Sequence, residues 1–310
     1  MVSRKIAVGV DFSAESELAA HQALDVARHI HGELILVHAI AVVDIPVVPR
    51  SSPPATAQVI EIYRSQLEHS TRRDRERLAD LRMRLSDQGV PVSQLLVEGL
   101  ADDGLVEAAH KAGAELIVVG THGRTGLRWF HLGSVAHRVV RMSDGDVLVA
   151  RGEGAARGGY QRILVAADFS PSSGQALDRA VWLAAPGAHI DVVHFYQGAS
   201  RAEPYEAIRA ALAAADLNRT IVSELAMRGE RFIAERARAG LAIRFHAIGD
   251  GPLPGILHYL ERYRFDLASV GSHGRRGFHR FAVGSVAEAV VQRAPCSVLI
   301  ARAGAGPEER

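Results

Sequence analysis

The chain has 310 residues, 48% of them hydrophobic and 23% charged, with 36 Lys and Arg against 35 Asp and Glu. That size suits two domains of about 150 residues, each able to bury its own core, and a net charge of +1 gives no broad field for nucleic acid or for an anionic membrane. The one cysteine, Cys296, excludes an intrachain disulfide and a cysteine-cluster metal site; no apolar run approaches the roughly 20 residues that span a bilayer.

In chain order, Met1–Lys5 leads directly into the apolar run Ile6–Val10, leaving no room for a separate signal sequence ahead of a first strand, so the cytoplasm is the expected compartment. Asp11-Phe12-Ser13 follows, with Ser13 placed to N-cap a helix to about His31. Leu34–His38 is nearly continuous in apolar character, as a parallel strand covered on both faces should be. A loop with Ile45-Pro46 and Pro53-Pro54 precedes a long charged helix over about 56–86, where the arginine-rich run at 71–77 reads as a solvated face. A third strand is expected over about 90–97 and a third helix over about 103–111. Leu116–Val119 then runs into Gly120-Thr-His-Gly123, nine further residues, Gly133-Ser134, a helix over 135–142 and a last strand, Asp146–Ala150.

The same order recurs. Ile163–Ala167 precedes Asp168-Phe-Ser-Pro171, in which Ser170 caps and Pro171 takes the favoured first helical position. Leu177, Ala180, Val181 and Ala184 give the stripe of a helix covering a sheet. Ile190–His194 is the second strand; a helix is expected over about 203–239, a strand over 241–248 and a helix over 253–262. Leu267–Val270 runs into Gly271-Ser-His-Gly274, nine residues, Gly284-Ser285, a helix from Val286 and the strand Cys296–Ala301. The chain therefore divides into domains at 1–152 and 161–303, a glycine-rich linker at 153–160 and a tail at 304–310. Each domain has five strands alternating with four helices, which predicts two tandem doubly wound parallel α/β sheets. The fifth strand of each half is too apolar to be left bare, so the halves are expected to pair through it.

A strand that ends in glycines and feeds a helix N-terminus is a natural anion site, because backbone N–H groups point outward there. The repeated G-x2-G-x9-G-S after strand four resembles the ATP-binding members of the universal stress protein family, and the resemblance covers nearly the whole chain as two copies. It implies a Rossmann-like, adenine nucleotide alpha hydrolase-like sheet of order 3-2-1-4-5, with the site where the winding reverses. It further implies that Gly120, Gly123, Gly133, Ser134 and Val135, and Gly271, Gly274, Gly284, Ser285 and Val286, hold the triphosphate of ATP, with or without Mg2+. Asp11 and Asp168 would hold the nucleoside, and Ala39 would lie beside the adenine. Phe195 stands where a small apolar residue is expected, and its ring would either stack on adenine or fill its space. Homodimers of the whole chain are a further implication.

Each residue also has a plainer reading. Asp-Phe-Ser caps a helix without any ligand, and one glycine suffices for a tight turn. His122 and His273, with His131 and His279 nearby, raise a metal site, but no pair has helical i, i+4 spacing and no carboxylate accompanies them. Arg124, Arg128, Arg275, Arg276 and Arg280 serve a solvated loop equally well. His38 and His194 read as packing against the strand-one turn. There is no P-loop, Gly249-Asp-Gly251 lacks a third glycine, and G-x-x-G after an apolar strand in a near-neutral chain is unlike a nucleic-acid clamp. The signature has no base or metal-bound water to aim at a phosphate, so a nucleotide-binding stress-response module is favoured over a non-nucleotide scaffold of the same fold and over a slow metal-assisted hydrolase.

Overall fold

The computed structural model describes residues 4–40, 54–123, 132–152, 158–196, 207–272 and 283–302. Gly274, His131, His273, His279, the five loop arginines, the centre of the linker and the tail lie outside them. The first half runs β1 (Lys5–Gly9), α1 (Ala14–His29), β2 (Glu33–Ile40), α2 (Pro54–Ser86), β3 (Val92–Glu98), α3 (Ala101–Ala112), β4 (Leu116–Gly120), α4 (Ser134–Met142) and β5 (Asp146–Ala150). The second repeats it with β6 (Tyr160–Ala166), α5 (Pro171–Leu183), β7 (Ala184–Tyr196), α6 (Ala207–Ala234), β8 (Ala242–Gly249), α7 (Pro252–Tyr263), β9 (Leu267–Gly271), α8 (Ser285–Arg293) and β10 (Ser297–Ala301). Among the described residues no helix is long and apolar enough to cross a membrane.

Each half is a parallel sheet in the order 3-2-1-4-5, and the two join into one ten-stranded sheet, β3-β2-β1-β4-β5-β10-β9-β6-β7-β8. The join is antiparallel, Val147 against Ile300, Leu148 against Leu299 and Val149 against Val298. Every residue of these two strands is buried, so the pairing removes two apolar edges at once. Alternate strand residues supply two cores. One faces α1, α2, α5 and α6, with Ala19, Leu78, Ala176 and Ile233; the other faces α3, α4, α7 and α8, with Leu105, Ala136, Ile256 and Ala287.

Two of the boundaries that differ from the sequence reading meet at Tyr160. The linker does not reach residue 160: Tyr160 is the first residue of β6 and fully buried, its hydroxyl donating to Gln22 Oε1 (3.3 Å). Gln161 and Arg162 are exposed and hide the strand's start from an apolar count. Ala184 does not extend the stripe of α5; it opens β7 and pairs with Tyr160 ahead of a register shift.

Polar groups at corresponding places flank the join. On one side Asp146 is buried and accepts from the Arg302 N–H (2.8 Å) and from Arg179 Nε of α5 (2.5 Å). Burial pushes its carboxyl up from the ordinary value, and the Arg179 charge and Arg302 N–H work against that shift. On the other side the corresponding groups are uncharged: Ser297 Oγ accepts from the Arg151 N–H (3.1 Å) and donates to Gln22 Oε1 (2.9 Å). Removing one member of a buried pair strands the other, at about 3–5 kcal/mol. Asp146→Ser is therefore expected to lose stability in urea denaturation, and Asp146→Ser with Arg179→Gln, which copies the Ser297–Gln22 side, to recover most of it. Additive losses would show that the two groups are not coupled.

Candidate functional site

The strand order places β1 beside β4, so the chain leaves their carboxyl ends toward opposite faces of the sheet and opens a crevice there. At the β1 end, Asp11 makes a tight turn into α1. Its Oδ1 accepts from the Ser13 N–H (3.0 Å) and Ser13 Oγ (2.5 Å), and Ser13 caps the helix by accepting from the Ser16 N–H (3.2 Å). Phe12, between them, has φ of 62°, a left-handed conformation costly for a bulky residue. Its ring is held between His38 (4.6 Å) and the Arg77 guanidinium (4.2 Å). His38 is buried, with Nδ1 2.6 Å from the Val10 carbonyl. It packs against the strand-one turn, as expected.

The glycines divide by role. A Cβ on Gly120 would lie 2.7 Å from the Glu15 carbonyl oxygen, and one on Gly271 would lie 2.7 Å from the Ser172 carbonyl carbon. These two let β4 and β9 approach the first turns of α1 and α5. A Cβ on Gly123 would come 2.5 Å from Asp11 Oδ2, so the loop lies directly on the carboxylate's second oxygen. Gly133 differs from the expectation: its N–H donates within the loop to the Thr121 carbonyl (2.7 Å), and a Cβ there would meet the Thr121 oxygen at 3.1 Å and His122 Cα at 3.2 Å. Among the described residues, the first turn of α4 offers donors to the crevice, beginning at Ser134 and Val135, whose N–H groups have no intrahelical acceptor. Both side chains are exposed.

The crevice has a volume of about 530 Å3, and Asp11, Ala39, Gly120, Gly123, Gly133, Ser134 and Val135 all line it. Sequence stretches more than 100 residues apart meet there. Val37, Ala101 and Leu105 add an apolar wall that no motif marks, because Val37 and Leu105 are ordinary core residues of β2 and α3 and Ala101 an unremarkable first residue of α3. His122 also lines it, and its Nε2 is buried without a hydrogen-bond partner among the described residues.

The second half repeats the frame. Asp168 Oδ1 accepts from the Ser170 N–H (3.0 Å), Phe169 has φ of 62°, and His194 Nδ1 lies 2.7 Å from the Ala167 carbonyl. Gly284 N–H donates to the Ser272 carbonyl (2.7 Å), and Ser285 and Val286 open α8. Phe195 changes the pocket. It is 7% exposed and its ring lies 2.3 Å from where a Cβ on Gly255 of α7 would be. The ring thus packs onto α7 at Gly255, where the first half has the small Ala39.

A doubly wound sheet with a crevice at its switch point has the geometry in which α/β sheets take ligands. The profile described as "Universal stress protein family" matches residues 3–151 and 159–302. The chain belongs to the universal stress protein family. It is 29% identical over 308 residues to a universal stress protein of Mycolicibacterium smegmatis, covering 96% of each chain. A universal stress protein of Methanocaldococcus jannaschii is 33% identical over 149 residues, 48% of this chain and 82% of that one; one from Mycobacterium tuberculosis is 38% identical over 146 residues, 47% of this chain and only 45% of that protein. Among solved structures, a universal stress protein of Archaeoglobus fulgidus superposes with a TM-score of 0.66 at 19% identity, covering 98% of this chain and 100% of that one, which shows a shared fold.

Because the Gly120 and Gly271 contacts are with helix backbone, Gly120→Ala and Gly271→Ala are each expected to cost about 1–3 kcal/mol of stability through overpacking. Chemical denaturation in the absence of any ligand reads this directly. No loss of stability would leave these glycines free for a purely ligand-directed role.

Proposed function

We propose that the chain binds ATP in the crevice of its first half and acts as a nucleotide-dependent module of the stress response. The observation that carries this reading is the convergence of Asp11, Ala39 and the Gly120–Val135 signature on one crevice of about 530 Å3, within the range of small-molecule sites. In this reading the triphosphate lies on the first turn of α4, where free N–H groups and the helix dipole favour an anion, and His122 Nε2, without a hydrogen-bond partner among the described residues, is a further contact. Val37, Ala39, Ala101 and Leu105 cover the base. Asp11 Oδ1 holds the turn, and its carboxylate, which lines the crevice, is the group we assign to the nucleoside.

Among the described residues no group of three His, Cys, Asp or Glu could hold a metal ion, so Mg2+ would arrive on the phosphates. In the second half we assign phosphate to the α8 N-terminus and, because Phe195 fills the base's space, weaker nucleotide binding. A cytoplasmic location accords with this reading.

Asp11→Asn keeps an oxygen for the turn and is expected to weaken ATP by about 1–3 kcal/mol, typical of a buried hydrogen bond lost, while tripolyphosphate binding stays near wild type. Calorimetry with both ligands checks it; equal weakening would assign Asp11 to the fold alone. Ala39→Phe, which copies the second half, is expected to abolish ATP binding in the first. A thermal-shift titration should show ATP at 100 times its Kd adding about 2.7 kcal/mol to wild type and nothing comparable to this variant. An unchanged shift would remove the base from the Ala39 wall.

A further inference from the structure

Duplication makes each half a control for the other. At the outer edge of the second half, on the face covered by α7, four positions that are aliphatic in the first half carry polar or aromatic side chains. Through the common strand registers and the equal lengths of α3 and α7, Ile35, Leu95, Ala108 and Ala112 correspond to Asp191, His246, Tyr259 and Tyr263. The four form one cluster: Tyr259 OH donates to Asp191 Oδ2 (3.3 Å), His246 Nε2 lies 3.4 Å from Asp191 Oδ1, and the Tyr259 and Tyr263 rings are 4.5 Å apart. They line a groove of about 620 Å3 beside β8, bounded across the strand by Val222 and Ala226 of α6.

Aliphatic residues serve the fold at these places in the first half, so packing does not require the replacements. A carboxylate and an imidazole among aromatic rings carry a desolvation cost that aliphatic side chains avoid. Burial, then the Asp191 charge, pushes the Tyr259 hydroxyl up to about 12, so it stays a donor to Asp191 at neutral pH. The Asp191 side chain keeps 25% of its surface exposed, on the groove. His246 Nε2 is buried and has no hydrogen bond of good geometry among the described residues.

A carboxylate beside tyrosine rings and aliphatic walls is the recognition chemistry of an organic cation. We propose that the groove beside β8 binds a small organic cation with an apolar body, its ammonium on Asp191 and its body against Tyr259 and Tyr263. The site is separate from the crevice of the first half and does not rest on nucleotide binding.

Calorimetry on the full chain with benzylamine, benzyltrimethylammonium, benzyl alcohol and benzoate tests it. The two cations should bind one site per chain, the alcohol at least about tenfold more weakly and benzoate not at all, since only the charge distinguishes them. Asp191→Asn should weaken the cations by at least about tenfold and leave the thermal shift with ATP unchanged. Tyr263→Ala alters a side chain already 39% exposed, so it is expected to fold and to weaken the cations even if Asp191→Asn does not fold. Equal binding of alcohol and cations, absence of cation binding at about 10 mM, where even millimolar sites fill, or unchanged binding by Tyr263→Ala would each overturn the proposal.

Discussion

The antiparallel pairing of β5 with β10 is the constraint on which the rest depends. Neither five-stranded sheet could leave its fifth strand open, because every residue of both is apolar or buried and a bare apolar edge recruits other chains. Pairing the edges turns two sheets into one and brings α4 and α8 together: His137 Nε2 and Glu288 Oε1 are 2.7 Å apart, each one turn from the start of its helix. The two sides of the join are alike in backbone and unlike in charge, Asp146 with Arg179 on one and Ser297 with Gln22 on the other.

Within each half the decisive local feature is the turn after the first strand. Asp11 and Asp168 tie the turn to the N-cap serines, while Phe12 and Phe169 hold left-handed backbone. Such a conformation costs on the order of 1–3 kcal/mol and persists only when its surroundings enforce it. Here the enforcement comes from aromatic and guanidinium contacts: His38 and Arg77 on Phe12, His194 and Arg228 on Phe169. His38 of β2 and His194 of β7 thus support these turns from beneath. The halves then diverge in what lies above this turn, an open apolar wall at Ala39 and a ring at Phe195.

Divergence at the outer edges follows the same logic. Once the join and the turns secure the fold of both copies, positions such as Ala108 and Tyr259 can differ without altering the architecture. Differences between the copies therefore mark where the chain is released from the demands of packing.

The amino-acid sequence by itself determined the duplication, the alternation of strands and helices, the capping of α1 and α5 by Ser13 and Ser170, and the pairing of apolar fifth strands, because periodicity and cap chemistry are local and edge burial follows from composition. Gly120, Gly123, Gly133 and Ser134 were legible as a group because their spacing repeats. The start of β6 was not, since Gln161 and Arg162 interrupt its apolar run, and Ala184 fitted a helical stripe that ends one residue earlier. Only the tertiary structure separated the glycines by role, Gly120 against the α1 backbone, Gly123 on the Asp11 carboxylate and Gly133 donating within its loop. It also brought Val37, Ala101 and Leu105 to the crevice and turned the Phe195 ring onto Gly255. These are matters of distance between segments far apart in the chain, and such distances arise only when the strands pair and the helices pack over them.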